Sequence, residues 1–168
     1  EYNNIIEFGI TNEKKIFIAE NITIPNNTTL YPKRNFGPLR IVFISRISPM
    51  KNLDFLLDVL SLVKSEIIFN IYGPKEDDDY WNLCNFKINK LTSNVKVSYL
   101  GISNPNEIGQ IFNNNDLFIL PTKGENFGHI IFESLSYGVP VIISACTPWK
   151  PDFNGAVTCI PLDRKSTR

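Results

Sequence analysis

The chain is poor in the residues that metal centres and covalent frameworks use. Its 168 residues include three cysteines, one histidine, one methionine and three alanines. Cys84, Cys146 and Cys159 are odd in number, far apart and form no CxxC pair, so neither a disulfide framework nor a zinc site is expected, and a reducing compartment fits. With His129 as the single histidine, a site needing two is excluded, and a Ser/His/Asp triad would have to be built around that one residue. Net charge is absent as well, with 17 Lys and Arg against 17 Asp and Glu. General binding to nucleic acid or to anionic lipid is therefore not expected, because both need a surplus of cations. The longest apolar stretch, Val139 to Ala145, is far too short to cross a bilayer, and no basic leader with an apolar core opens the sequence. Repeats at solenoid periods are lacking too.

What is present is ample apolar material: 43% hydrophobic and 12% aromatic residues, enough for one domain with a core of its own. The 20 asparagines and 23 isoleucines suit an AT-rich coding sequence. Because the asparagines are interleaved with apolar runs, polyasparagine disorder is a poor reading. A first residue of Glu1 suggests a piece of a longer protein.

From Leu39 onward, short β-branched runs alternate with amphipathic windows, the pattern of parallel strands joined by crossover helices. Strands are expected at Leu39–Ser45, Ile67–Tyr72, Val95–Leu100, Leu117–Leu120 and Val139–Ser144, with a weak sixth at Val157–Ile160. Asn52 is expected to cap a helix reaching about Lys64, burying Leu53, Leu56, Leu57, Leu60 and Val63 on one face. Asp77 to Asp79 suit a helix N-terminus, continued by Tyr80, Leu83, Cys84, Lys87 and Leu91. Asn104-Pro105 opens a short helix to about Phe112, and Ile130 to Tyr137 makes another, ended by Gly138. This order predicts an open, doubly wound α/β sheet with any ligand at the carboxyl ends of the strands. Residues 1–38 read differently: two short strand-like runs, Lys15–Ala19 and Ile22–Ile24, then a breaker-rich stretch through Pro25, Pro32 and Pro38, expected to be a linker into the domain of residues 39–168.

Two segments carry chemistry. Thr122 to Glu133 leaves a buried strand, passes Gly124 and Gly128 and enters a helix, so several backbone N–H groups should converge at a positive helix terminus able to hold phosphate. Glu125 in the loop and Glu133 a turn into the helix can face one crevice from different heights; equally, the spacing suits a solvated loop acid and a dipole-complementing one. The second segment, Ser45 to Asn52, sends Arg46 and Lys51 from a strand end and a helix start on the same sheet edge, where two cations suit a diphosphate. No GxGxxG follows the first strand, which counts against a dinucleotide-dependent oxidoreductase. No acidic pair ends that strand, which counts against a receiver domain. The aromatic pairs Tyr80-Trp81 and Pro148-Trp149 are expected to be buried packing rather than sugar platforms.

Glu125, seven residues and Glu133, preceded by Pro121-Thr122 and followed by Tyr137-Gly138-Val139-Pro140-Val141-Ile142, resemble the E-x7-E signature of group 1 glycosyltransferases, family 4 in the sugar-transferase classification. The segment from Ser45 resembles that family's Gly-Arg-Leu-x-x-x-Lys-Gly motif, with Ser45, Ile47 and Asn52 in place of glycine, leucine and the second glycine. Ile71 to Pro74 and Tyr99 to Gly101 fall where the family has its next two strand-end loops. The resemblance covers Leu39 to about Asp163. It implies the carboxyl-terminal, Rossmann-like half of a GT-B architecture, which binds a UDP- or GDP-type sugar donor without a metal. By position Arg46 and Lys51 would contact the diphosphate, the loop at Asn126, Phe127 and Gly128 the phosphate and sugar, Glu125 the transferred sugar and Glu133 the ribose hydroxyls. His129 would either donate to the donor phosphate or simply cap and pack at the helix start, a supporting role in both cases.

The same resemblance implies a retaining, hexosyltransferase-type enzyme acting on a glycan or lipid-linked acceptor, as in cell-surface polysaccharide synthesis. It further implies an acceptor domain ahead of a crossover near Ile16–Asn21, and terminal helices beyond the chain's end. The fragment alone would then bind donor without transferring sugar. A cytoplasmic protein is expected, with peripheral membrane association open to the full-length form. The rival is a noncatalytic nucleotide-binding or interaction module of the same fold.

Overall fold

The computed structural model describes residues 37–151 and 154–162. Residues 1–36 of the expected linker, with the crossover and the strand-like runs, lie outside the described residues, as do Asp163 and the residues after it. Six strands form one sheet: β1 (Leu39–Ile44), β2 (Ile67–Tyr72), β3 (Val95–Tyr99), β4 (Leu117–Leu120), β5 (Val141–Ser144) and β6 (Val157–Ile160). Their order is β3-β2-β1-β4-β5-β6 and every pairing is parallel. The expected doubly wound α/β sheet is thus present. The chain reverses its direction of travel between β1 and β4, and a crevice opens at such a switch point.

Central strands in a parallel sheet are covered on both faces and need unbroken apolar runs. β1 has one, and Ile41, Val42, Phe43 and Ile44 are all buried; so are Phe118, Ile119 and Leu120 of β4. β2 alternates instead, with Ile67, Phe69 and Ile71 buried between half-buried Ile68, Asn70 and Tyr72. At the opposite end of the switch point from the crevice, Arg40 grips Asp116: Nη2 lies 2.7 Å from Oδ1, and Nε and the Arg40 N–H donate to Oδ2 at 3.0 and 2.9 Å. This fork pins β1 to β4 and holds the Arg40 guanidinium above its ordinary pKa, the hydrogen bonds to Asp116 outweighing the opposing effect of burial.

Helix α1 (Leu53–Leu60) follows β1, α2 (Asp78–Ile88) follows β2, and α3 (Ile108–Asn113) and α4 (His129–Ser136) follow β3 and β4. Right-handed crossovers put α1 and α2 on one face and α3 and α4 on the other. On the first face, the Tyr80 hydroxyl donates to Asp54 Oδ1 at 2.6 Å while Lys87 Nζ pairs with Asp58 at 2.8 Å. On the second, Phe112 stacks on Tyr137 with ring centroids 6.1 Å apart.

Several helix details differ from expectation. The first helix stops at Leu60 instead of Lys64, its end tightening into i→i+3 bonds as the Leu62 N–H donates to Val59 O at 3.1 Å and the Val63 N–H to Leu60 O at 3.2 Å. In α2 the buried residues are Tyr80 and Cys84, four apart, and Leu83 faces solvent. Asp77 caps α2 by accepting from the Tyr80 N–H at 2.9 Å. The Asn104-Pro105 start gives a 3-10 turn, Pro105–Glu107, with the Glu107 carboxylate accepting from the Asn104 N–H at 3.0 Å, before α3 begins. Asn52 stands at the start of α1 but does not cap it with its side chain.

Candidate nucleotide-sugar site

The carboxyl ends of the strands form a laced rim. The Gly73 N–H donates to Gly101 O at 2.8 Å, joining the loops after β2 and β3. Ser45 N–H donates to Tyr72 O at 3.1 Å and Ile47 N–H to Pro74 O at 2.8 Å, joining the loops after β1 and β2. Gly73 is obligatory here: at φ +139°, a Cβ would lie 1.8 Å from Ser45 O. Ser45 itself has no positive φ, so a side chain costs no backbone strain where the family motif has glycine.

Asn52 replaces the motif's second glycine at a position that does demand glycine-like backbone. Its φ is +60°, and among the described residues it is the one non-glycine with positive φ. Asparagine tolerates that region better than other side chains, and here the amide has a further use. Its Nδ2 donates to Pro121 O at 3.0 Å, fastening the start of α1 to the end of β4. Lys123 N–H adds a bond to Met50 O at 2.8 Å, and Thr122 Oγ1 donates to Gly124 O at 2.7 Å from a fully buried position. Ser144 at the end of β5 donates its hydroxyl to Thr122 O. The β4–α4 loop is therefore held from β1, from β5 and from within.

This lacing brings Lys51 and Glu125 together. Lys51 Nζ lies 2.7 Å from Glu125 Oε2, with 9% of the lysine side chain and 20% of the glutamate side chain exposed. A cation after β1 meets an acid after β4 in the crevice of the switch point. Arg46 is engaged elsewhere: its Nη1 lies 2.7 Å from Glu76 Oε1, and 61% of its side chain is exposed. The structure thus joins one of the two expected cations to Glu125 and the other to an acid that the sequence did not single out.

Gly128 opens α4 at φ +79°, and a Cβ there would meet Ile131 Cδ1 at 2.7 Å and Glu125 Cγ at 3.1 Å. No side chain caps this terminus, which leaves the first N–H groups of the helix for other partners. His129 is exposed at the helix start, its ring 4.8 Å from that of Phe127. Asn126 is exposed beside them. Glu133 lies one turn further and half-buried; burial pushes its carboxyl above the ordinary glutamate range, partly offset by the charge of His129. Among the described residues no hydrogen bond or ion pair compensates that carboxylate.

Trp149, expected to be packing alone, also belongs to this edge. Its Nε1–H donates to Phe127 O at 2.6 Å and its ring lies 5.8 Å from that of Phe127. Its partner is 22 residues earlier, so no local pattern could have revealed the contact. Trp81 packs on Tyr99 with Lys75 4.3 Å above its ring. Nucleophilic chemistry gains no support from Cys84, whose thiol burial pushes up to about 11. No cluster of three or more His, Cys, Asp or Glu suited to a metal occurs among the described residues, and no helix among them is long and apolar enough to cross a membrane.

Sheet order, switch-point crevice and helix terminus define a Rossmann-like domain. Comparison with known proteins agrees: the family described as glycosyl transferases group 1 matches residues 30–155. The chain belongs to that family. It is 33% identical over 150 residues to an uncharacterized 41.2 kDa protein of the cps region of Klebsiella pneumoniae, an alignment covering 84% of this chain and 39% of that protein. Among solved structures, the apo lipopolysaccharide outer core galactosyltransferase WaaB has a TM-score of 0.69 at 20% identity, covering 95% of this chain and 45% of WaaB. Anabaena Alr3699/HepE in complex with UDP and glucose has a TM-score of 0.63 at 22% identity, covering 74% and 34% of the two chains. The chain thus spans under half the length of each of these three relatives.

Proposed function

We propose that this chain is the donor-binding half of a retaining glycosyltransferase, taking a nucleoside diphosphate sugar of the UDP or GDP type. The observation that carries the reading is the Lys51–Glu125 pair at 2.7 Å, set at the switch point beside the uncapped start of α4. The HepE complex with UDP and glucose and the galactosyltransferase name of WaaB support the choice of ligand class.

In this reading the diphosphate lies against α4, where the N–H groups near Asn126, Phe127, Gly128 and His129 meet its oxygens and the helix dipole favours its charge. Lys51 and Arg46 turn to it from the β1–α1 loop. Both cations are held by carboxylates, Lys51 by Glu125 and Arg46 by Glu76, so donor binding exchanges one anionic partner for another. Cations fixed at the leaving diphosphate stabilise the charge that builds there as the glycosidic bond breaks, a task that needs no metal. Glu125 lies beside the transferred sugar. Glu133, half-buried and uncompensated, accepts hydrogen bonds from the vicinal ribose hydroxyls, a diol being a natural partner for a carboxylate. The acceptor, a glycan or a lipid-linked sugar, is presented by a further domain, and attack from the face the diphosphate leaves retains the anomeric configuration. Without that domain the chain binds donor and transfers nothing.

Calorimetric titration with UDP, GDP and ADP tests the reading. One nucleotide should bind the wild-type chain, and Glu133→Ala should weaken it at least tenfold. Equal binding by the two proteins, or none by either, contradicts it.

A further inference from the structure

Next to the helix terminus is a pocket whose side chains the nucleotide reading does not use, although that reading gives the backbone N–H of Phe127 to the donor. Phe127, Pro148, Trp149 and Lys150 line an open volume of about 290 Å3, close to the lower bound of roughly 300 Å3 for small-ligand sites. Two of its walls are aromatic rings and a third is a proline ring, and Lys150 is the one charged group among these lining residues.

The indole wall is fixed before any ligand arrives. Trp149 Nε1–H is bound to Phe127 O at 2.6 Å, and the Trp149 carbonyl accepts from Cys159 Sγ at 3.6 Å, so β6 and the β4–α4 loop hold the residue from both sides. A ring already immobilised loses little conformational freedom on binding. Lys150 is exposed and makes no ion pair among the described residues. A suitable ligand therefore has a flat face of weakly polar C–H groups to meet the electron-rich ring, and an anionic substituent at one edge to meet the ammonium. Pyranose rings carrying a carboxylate have both.

We propose that this pocket is a subsite for an acidic pyranose, its C–H face laid on Trp149 and its carboxylate drawn to Lys150. The inference rests on the glycosyl-transfer reading, under which sugars are the rings that reach this edge. In that reading the loop at Asn126, Phe127 and Gly128 borders the transferred sugar, so a second ring laid on Trp149 lies beside that sugar, where the acceptor must sit.

The test uses the 15N-labelled 168-residue chain saturated with whichever of UDP and GDP it binds, following the indole N–H signals of Trp149 and Trp81, the two tryptophans present. Trp149→Phe assigns the signals by deleting one. Methyl β-glucuronide should shift the Trp149 signal saturably in the millimolar range and leave Trp81 unmoved. Methyl β-glucoside should bind roughly two- to fivefold more weakly, as one exposed ion pair allows. Lys150→Ala, a surface change that should not disturb folding, should abolish that preference. A Trp149 signal unmoved by both sugars overturns the subsite, and a preference that survives Lys150→Ala overturns its acidic specificity. Nucleotide binding, read from the α4 amides in the same samples, separates the two proposals: nucleotide bound with no sugar response refutes the subsite alone, whereas binding of neither UDP nor GDP refutes the donor reading.

Discussion

Asn52 shows how one position can serve backbone geometry and site architecture together. Its φ of +60° explains why the family motif has glycine there, and its amide bond to Pro121 O explains why asparagine is useful in its place. Asn52→Gly relieves the backbone and loses one hydrogen bond, so its stability in urea should stay within about 1 kcal/mol of wild type. Asn52→Val keeps neither advantage and should cost roughly 2 kcal/mol or more. The Lys51–Glu125 pair makes a similar contrast. Glu125→Ala abandons an ammonium whose side chain is 9% exposed and should cost about 2–4 kcal/mol, whereas Glu125→Gln keeps an acceptor and should cost less than half of that. Glu133 runs the other way. Burial holds its carboxyl above the ordinary range, so the folded chain binds that proton more tightly than the unfolded chain, and deprotonation as pH rises subtracts stability. Glu133→Gln should therefore raise Tm at pH 7, and the gain should vanish once pH falls below the ordinary glutamate value of 4.5. A Tm gain that persists at low pH would contradict burial as its cause.

At the scale of elements, what the sequence disclosed depended on how local the information was. The central strands were legible because an apolar run such as Ile41–Ile44 announces itself within a few residues, β2 because alternation does the same, and Gly128 marked the loop-to-helix junction in the same way. The face of α2 was not legible, since Leu83 and Cys84 are both apolar and only packing against α1 decides which is buried. Arg46 and Lys51 leave one loop, and their spacing could not disclose that each meets a different acid, Glu76 and Glu125. Trp149 was hidden for the same reason, its partner lying across the sheet edge. That contact predicts coupling between loops. Trp149→Phe keeps a ring but removes the Nε1–H donor to Phe127 O, so amide exchange should quicken in residues 125–128 while β1 and β2 stay protected. Unchanged exchange there would mean that the lacing by Thr122, Asn52 and Ser144 suffices without the indole.

For the whole molecule, the absences noted in the sequence resolve into a placement of charge. A chain with no net charge puts Lys51 and Arg46 at the carboxyl edge of the sheet, each held by an acid, next to a helix terminus that no side chain caps. The Arg40–Asp116 fork stabilises the far end of the same two central strands, so the crevice opens between rigid elements. The central claim is that Glu133 reads the ribose diol of a nucleoside diphosphate bound in that crevice. Calorimetry of UDP and its 2′,3′-dideoxy analogue against wild type and Glu133→Gln tests it most directly. Hydrogen bonds to a charged group are worth roughly 1.5–3 kcal/mol, so wild type should prefer UDP by about 10- to 100-fold, and Glu133→Gln should largely lose that preference. A wild-type chain that binds both nucleotides alike, or a variant that still discriminates as strongly, would contradict the account.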